Sequence, residues 1–213
     1  MLIEIEKSLK ERERSGVIRL EVDNKVKSEL LSILKKELKV KNDDIYKING
    51  PIDFTFLNKL YSEDGFDKYK YKPFKSQVRP ELKNVDLFEK IREGDILLHH
   101  PYDSFSTIVD LIKQAAVDEN VLAIKQTLYR VSGNSPIIEA LSRAAENGKQ
   151  VSVLVELKAR FDEENNIIWA RKLEKAGCHV IYGLLGLKTH SKITEIVRRE
   201  EDGIRRYVHL GTG

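Results

Sequence analysis

Apolar and polar positions change rhythm part-way along the chain, and the change divides it. Glu4 to Arg14 alternates acids and bases, which predicts a solvated helix over Met1 to Arg14 with ion pairs at helical spacing. Val17 to Val22 reads as a strand, with Val17, Ile18, Leu20 and Val22 apolar, and Asp23 or Asn24 can cap the helix after it. That helix spans about 25–38, with Val26, Leu30, Leu31, Leu34 and Leu38 on one stripe. A short strand, Ile45 to Ile48, stops at Asn49-Gly50-Pro51, and a second helix over about 54–61 ends near Gly65. These elements make a small α+β unit. Phe66 to Pro80 carries tyrosine, lysine and proline without a period and reads as a connector.

After Gly94 strands and helices alternate regularly. Ile96 to Leu98 is a predicted strand, Ser104 opens a helix carrying Ile108, Val109, Leu111, Ile112 and Ala115, and Val121 to Gln126 is the next strand. Ser135 then caps a helix with Pro136 at its first position, buried through Ile137, Ile138, Leu141 and Ala145 and stopped by Asn147-Gly148. Val151 to Glu156 is a strand, Asn165 to Lys175 a helix stopped at Gly177, and Cys178 to Tyr182 reads as a buried strand. Short turns from helix into strand imply parallel strands with right-handed crossovers, hence a layered α/β sheet. Ile193 to Val197 and Ile204 to His209 add a hairpin to it.

Composition narrows the class. A chain of 213 residues with 33% charged and 41% hydrophobic residues can bury a core as a globular protein. No apolar run approaches the roughly 20 residues of a membrane helix, and the N-terminus lacks a signal-peptide core, so a cytoplasmic location is expected. Cys178 is the single cysteine and cannot form an internal disulfide. A net charge of +3 is too small to argue nucleic-acid binding, and none is expected.

The position of the basic residues says more than their sum. Ligand groups in open α/β sheets gather at the carboxyl ends of parallel strands. Arg130 follows the strand ending at Gln126; Lys158, Arg160 and Asp162 follow the next; and Gly183-Leu-Leu-Gly-Leu-Lys188-Thr-His190-Ser-Lys192 follows the third. An isolated H-x-K is ordinarily a surface histidine beside solvated lysines, and a lone Arg130 or Arg160 ordinarily pairs with a neighbour such as Asp162 or Glu156. Gathered at three strand ends, the same residues predict an anionic-ligand pocket. If 191–197 is a strand, alternation turns His190 and Lys192 to one face. A neutral imidazole among Lys188, Lys192, Arg130 and Arg160 is suited to attack phosphorus while cations hold the phosphate oxygens. A P-loop is excluded because Leu187, not glycine, precedes Lys188. His99 and His100 read as cap or turn residues, since no third ligand lies at metal-site spacing, and His179 and His209 as packing residues.

The segments His99-His-Pro-Tyr-Asp-Ser-Phe105, Tyr129-Arg130, Glu156-Leu-Lys-Ala-Arg-Phe-Asp-Glu-Glu164, Gly186-Leu-Lys-Thr-His-Ser-Lys192 and His209-Leu-Gly-Thr-Gly213 resemble, in order and spacing, the motifs of polyphosphate kinases of the long, histidine-phosphorylated type. The resemblance implies a phospholipase D-like layered α/β domain over 86–213, preceded over 1–85 by the end of the head (middle) domain. It implies reversible transfer of the terminal phosphate of ATP to inorganic polyphosphate through a phosphohistidine. His190 matches the phosphorylated residue, with Lys192 beside it and Lys188 binding phosphate, while Arg130 and Arg160 match positions of the magnesium and phosphate site. A guanidinium has donors only, so these two are expected to grip phosphate beside Mg2+ rather than ligate it. The phospholipase D pattern of H-x-K followed by an acid is matched only in part, because Val197 stands at the acid's position, and this speaks against the alternative of a diester hydrolase. The other alternative is a non-catalytic polyanion-binding module. The family's chains are far longer than 213 residues, so the resemblance further implies a piece without the N-terminal helical and second C-terminal domains, inactive alone. It also implies a parent that is homo-oligomeric and peripherally membrane-associated.

Overall fold

The structure is a computed structural model describing residues 2–13, 15–130, 135–157, 159, 162–183 and 186–211. It divides into two compact units, one of residues 8–74 and one of residues 1–7 with 75–213. The first helix, α1 (Leu2–Glu13), has residues in both; the smaller unit then carries β1 (Leu20–Asp23), α2 (Ser28–Leu38), β2 (Ile45–Ile48) and α3 (Phe56–Ser62), with β1 and β2 paired in parallel from Leu20↔Ile45 to Asp23↔Ile48. The strand expected from Val17 begins only at Leu20, because β2 offers four residues to pair with, and Ile18 is left exposed. Nor does Asp23 cap the helix. Its carboxylate accepts the Lys25 backbone N–H at 2.7 Å, closing a turn before α2 starts. Among the described residues of this unit only Val22 and Val40 are buried.

The larger unit carries the core. After α4 (Leu87–Glu93) and α5 (Ser106–Val117) come β3 (Val121–Leu128), α6 (Pro136–Glu146), β4 (Gln150–Val155), α7 (Glu163–Lys175), β5 (His179–Tyr182), β6 (Lys192–Glu200) and β7 (Gly203–Gly211). The sheet order is β5-β4-β3-β6-β7; β3, β4 and β5 are parallel, and the β6–β7 hairpin joins with β6 antiparallel to β3. Three helices, α5, α6 and α7, pack side by side against β3, β4 and β5. Ile112, Ile138, Leu141 and Leu173 from the helices and Ile124, Val153 and Ile196 from the strands are fully buried there. Strand alternation puts Val151, Val153 and Val155 of β4 inside, while the other face carries ion pairs from Glu195 to Lys125 and Arg206. No described helix is long and apolar enough to cross a membrane.

Three local expectations are corrected. Residues 96–98 form no strand: they have no ladder neighbour, Leu97 is 82% exposed, and its carbonyl accepts a hydrogen bond from Arg79 at 2.6 Å. Ser135 occupies the N-cap position of α6, yet its side chain makes no cap hydrogen bond. The strand after Gly177 is not buried, since β5 lies at the sheet edge with His179 exposed. Cys178 just before it is buried, and burial first, with Glu146 second, pushes its thiol up to about 11, so it is inert packing.

Candidate active site

The segment that carries His190 leaves β5 at one edge of the sheet and passes the carboxyl ends of β4 and β3 before joining β6 on the far side of β3. A left-handed turn at Gly186 (φ +77°), a conformation that suits glycine, starts this passage. Two anchors then fasten it. Glu156, at the end of β4 and 4% exposed, accepts the backbone N–H of Thr189 at 2.8 Å. Thr127 near the end of β3 donates its hydroxyl to the Ser191 carbonyl at 2.7 Å and accepts the Ile193 N–H at 2.9 Å. The amide of Asn166, buried on α7, donates to the carbonyls of Tyr129 (2.7 Å) and Glu156 (2.9 Å), so the ends of β3 and β4 are held together beneath the turn.

His190 is exposed at this rim, not folded into the core. Its ring meets Tyr129 with centroids 5.2 Å apart at 73°, and the Lys192 ammonium lies 4.8 Å from the centre of the same Tyr129 ring. The route by which these two residues meet differs from the expected one. β6 begins at Lys192, so His190 precedes the ladder and strand alternation does not govern it; the shared tyrosine ring and a hydrogen bond from the Lys192 ammonium to the His190 carbonyl (2.5 Å) hold the two residues together. Arg130 follows Tyr129, places its guanidinium carbon 5.7 Å from that ring and forms an ion pair with Asp162 at 2.9 Å. Lys188 is exposed two residues before His190 and takes no part in these contacts among the described residues. Lys158, Arg160, Thr212 and Gly213 lie outside the described residues.

The sequence names Tyr129 and Glu156 only as members of motifs, or Glu156 as a pairing partner, and gives no anchoring or positioning role to them, to Thr127 or to Asn166. Asn166 has a visible signal, because it shares the apolar stripe of α7 with Ile167, Ala170 and Leu173. His99, His100 and His209 take turn and packing roles, whereas His179, expected to pack, is exposed on the edge strand β5. His100 Nδ1 is 2.8 Å from the Asp103 carbonyl, and His99 stacks edge-on with Tyr102. His209 faces Phe105; burial first, then the charge of His100, holds its ring below the usual imidazole range. Asp103 accepts Arg79 through both oxygens and the His99 N–H, which fixes the approach to α5.

A magnesium ion held by this chain does not fit the described donors. Arg130 has only N–H groups, the nearby Asp162 carboxylate is paired with it, and no cluster of three or more His, Cys, Asp or Glu side chains occurs among the described residues.

An exposed imidazole, an ammonium and a guanidinium thus stand together at the carboxyl ends of the parallel strands of a mixed α/β sheet, where open α/β sheets gather ligand groups. A family model described as polyphosphate kinase C-terminal domain 1 matches residues 86–213, and another, polyphosphate kinase middle domain, matches residues 1–60. The chain belongs to the polyphosphate kinase family. It is 58% identical to the polyphosphate kinase of Exiguobacterium sibiricum over 98% of this chain and 30% of that one, and 52% identical to that of Lactiplantibacillus plantarum over 100% and 30%. The crystal structure of polyphosphate kinase from Porphyromonas gingivalis superposes with a TM-score of 0.70 at 29% identity, covering 88% of this chain and 28% of that one. The chain thus spans about 30% of the length of the curated relatives it matches.

Proposed function

We propose that this chain supplies the histidine-bearing part of a polyphosphate kinase, in which His190 accepts the terminal phosphoryl group of ATP and passes it, reversibly, to inorganic polyphosphate. An unprotonated ring nitrogen of His190 attacks the γ-phosphorus in line, the bond to the bridging oxygen breaks, and ADP leaves with that oxygen's electrons. In the second step a terminal oxygen of the polyphosphate chain attacks the same phosphorus and the P–N bond breaks. Lys188 and Lys192 supply positive charge beside the transferring group, and Arg130 and Arg160 hold its oxygens as guanidinium forks. The ion pair of Arg130 with Asp162 is half-exposed and worth at most about 1 kcal/mol, so an incoming phosphate can take the carboxylate's place. Magnesium, on this reading, travels with the nucleotide's phosphates, and no residue of this chain is assigned to it.

The observation that supports this reading most is the placement of His190 and Lys192 on one tyrosine ring at an exposed rim of strand ends, in a chain of this family. Residues 1–85 then close the middle domain and residues 86–213 form the first C-terminal domain. A cytoplasmic location and a homo-oligomeric, peripherally membrane-associated longer protein belong to the same proposal. In a full-length polyphosphate kinase carrying this sequence, incubation with γ-labelled ATP should give acid-labile label on His190, and His190→Ala should abolish both label and polymer synthesis. Polyphosphate binding without label, surviving His190→Ala, would favour a binding module instead.

A further inference from the structure

Tyr129 is the one described side chain that touches both members of the H-x-K pair. Its ring stands T-shaped to the His190 imidazole at 5.2 Å, and the Lys192 ammonium sits 4.8 Å from its centroid. Neither ring nitrogen of His190 has a hydrogen-bond partner among the described residues, so the contact with Tyr129 is what orients the imidazole there. Tyr129 is itself held in place: Asn166 donates to its carbonyl at 2.7 Å, and the next residue, Arg130, is tied to Asp162. An aromatic quadrupole acts on both neighbours at once. It favours the T-shaped imidazole and draws the ammonium by the same electrostatics. The phenol oxygen is not needed for either contact.

We propose that Tyr129 is a positioning residue whose ring, not its hydroxyl, orients the His190 imidazole for phosphoryl transfer beside the Lys192 ammonium, which also donates to the His190 carbonyl at 2.5 Å. The inference rests on the phosphohistidine reading above. Transfer in line tolerates little displacement, and a misplacement of about 1 Å costs on the order of 100-fold. The ring contacts therefore bear on the rate of the chemical step, not on capture of nucleotide.

The test uses a full-length polyphosphate kinase carrying this sequence and measures single-turnover labelling from γ-labelled ATP. Tyr129→Leu should slow labelling at saturating ATP by about 10- to 100-fold while the half-saturating ATP concentration stays put. Tyr129→Phe should restore the wild-type rate. Labelling of Tyr129→Leu at the wild-type rate, or a loss confined to the half-saturating concentration, overturns the proposal. If Tyr129→Leu does not fold, Tyr129→Phe decides: a wild-type rate supports the ring's role, and a slow one overturns it. Absence of acid-labile label in the wild type sinks the phosphohistidine reading itself, whereas a labelled wild type with an indifferent Tyr129→Leu sinks only the role of Tyr129.

Discussion

Glu156 carries a carboxylate into a buried position, and one of its tasks is to receive the Thr189 backbone N–H one residue before His190. Removing that acceptor leaves an orphaned amide in the turn, which costs about 1–3 kcal/mol. Glu156→Ala should therefore lower the unfolding free energy of this chain by about that amount in urea titrations, while Glu156→Gln, which keeps an amide oxygen, should lose less. Equal losses for both would show that the anchor is not the hydrogen bond. At this scale the sequence is half legible. His190 and Lys192 stand out because a histidine and lysines crowd a glycine-marked turn, and Asp162 is among the partners that the sequence suggests for Arg130. The anchoring roles of Glu156 and Asn166 are not legible, apart from the hint that Asn166 lies on the apolar stripe of α7, because their partners lie 33 and 37 residues away, a separation that no local period encodes.

Elements are most legible where the period is their own. β2 matches its expected span and β5 falls one residue inside its own, and the helix stops at Gly148 and Gly177 fall where the glycines predict them, since a helix end is a local event. The segment 96–98 fails for the opposite reason: a strand needs a neighbour, and three apolar-biased residues without one become a loop held by Arg79. The same arginine governs the acid behaviour of the connection into α5. Hydrogen bonds from Arg79 first, then from the His99 N–H, hold the Asp103 carboxyl down to about 2, against an ordinary value of 3.8. Above 3.8 the group is charged in both states and its contribution is complete. Between 3.8 and about 2 the unfolded chain takes up a proton that the folded one refuses, so this stabilisation fades as the pH falls. Asp103→Asn should accordingly unfold at lower denaturant than wild type at neutral pH, with the gap closing as the pH approaches 2. A gap that stays constant over that range would rule out the Arg79 pairing as its source.

For the molecule as a whole, alternation of strands and helices announces the layered sheet, and the separate two-stranded unit is visible as a change of rhythm; strand order is not, because β6 pairs with β3 across some 70 residues. The two units meet in sequence at Phe74 and Lys75, after a stretch in which Tyr71 is 98% exposed. Limited digestion with chymotrypsin should cut first between residues 66 and 74 and leave a protected fragment starting near Lys75. A first cut within β3 or β4 would contradict the division. The route of the chain through its sheet also makes the His190 turn depend on distant strands. The turn that carries His190 is sewn to Thr127 and Glu156, 66 and 33 residues earlier in the chain, and is held from its other side by the pairing of β6 with β3. The His190 turn is therefore the keystone of the arch: the rim on which the proposed chemistry depends is complete only with the last two strands in place.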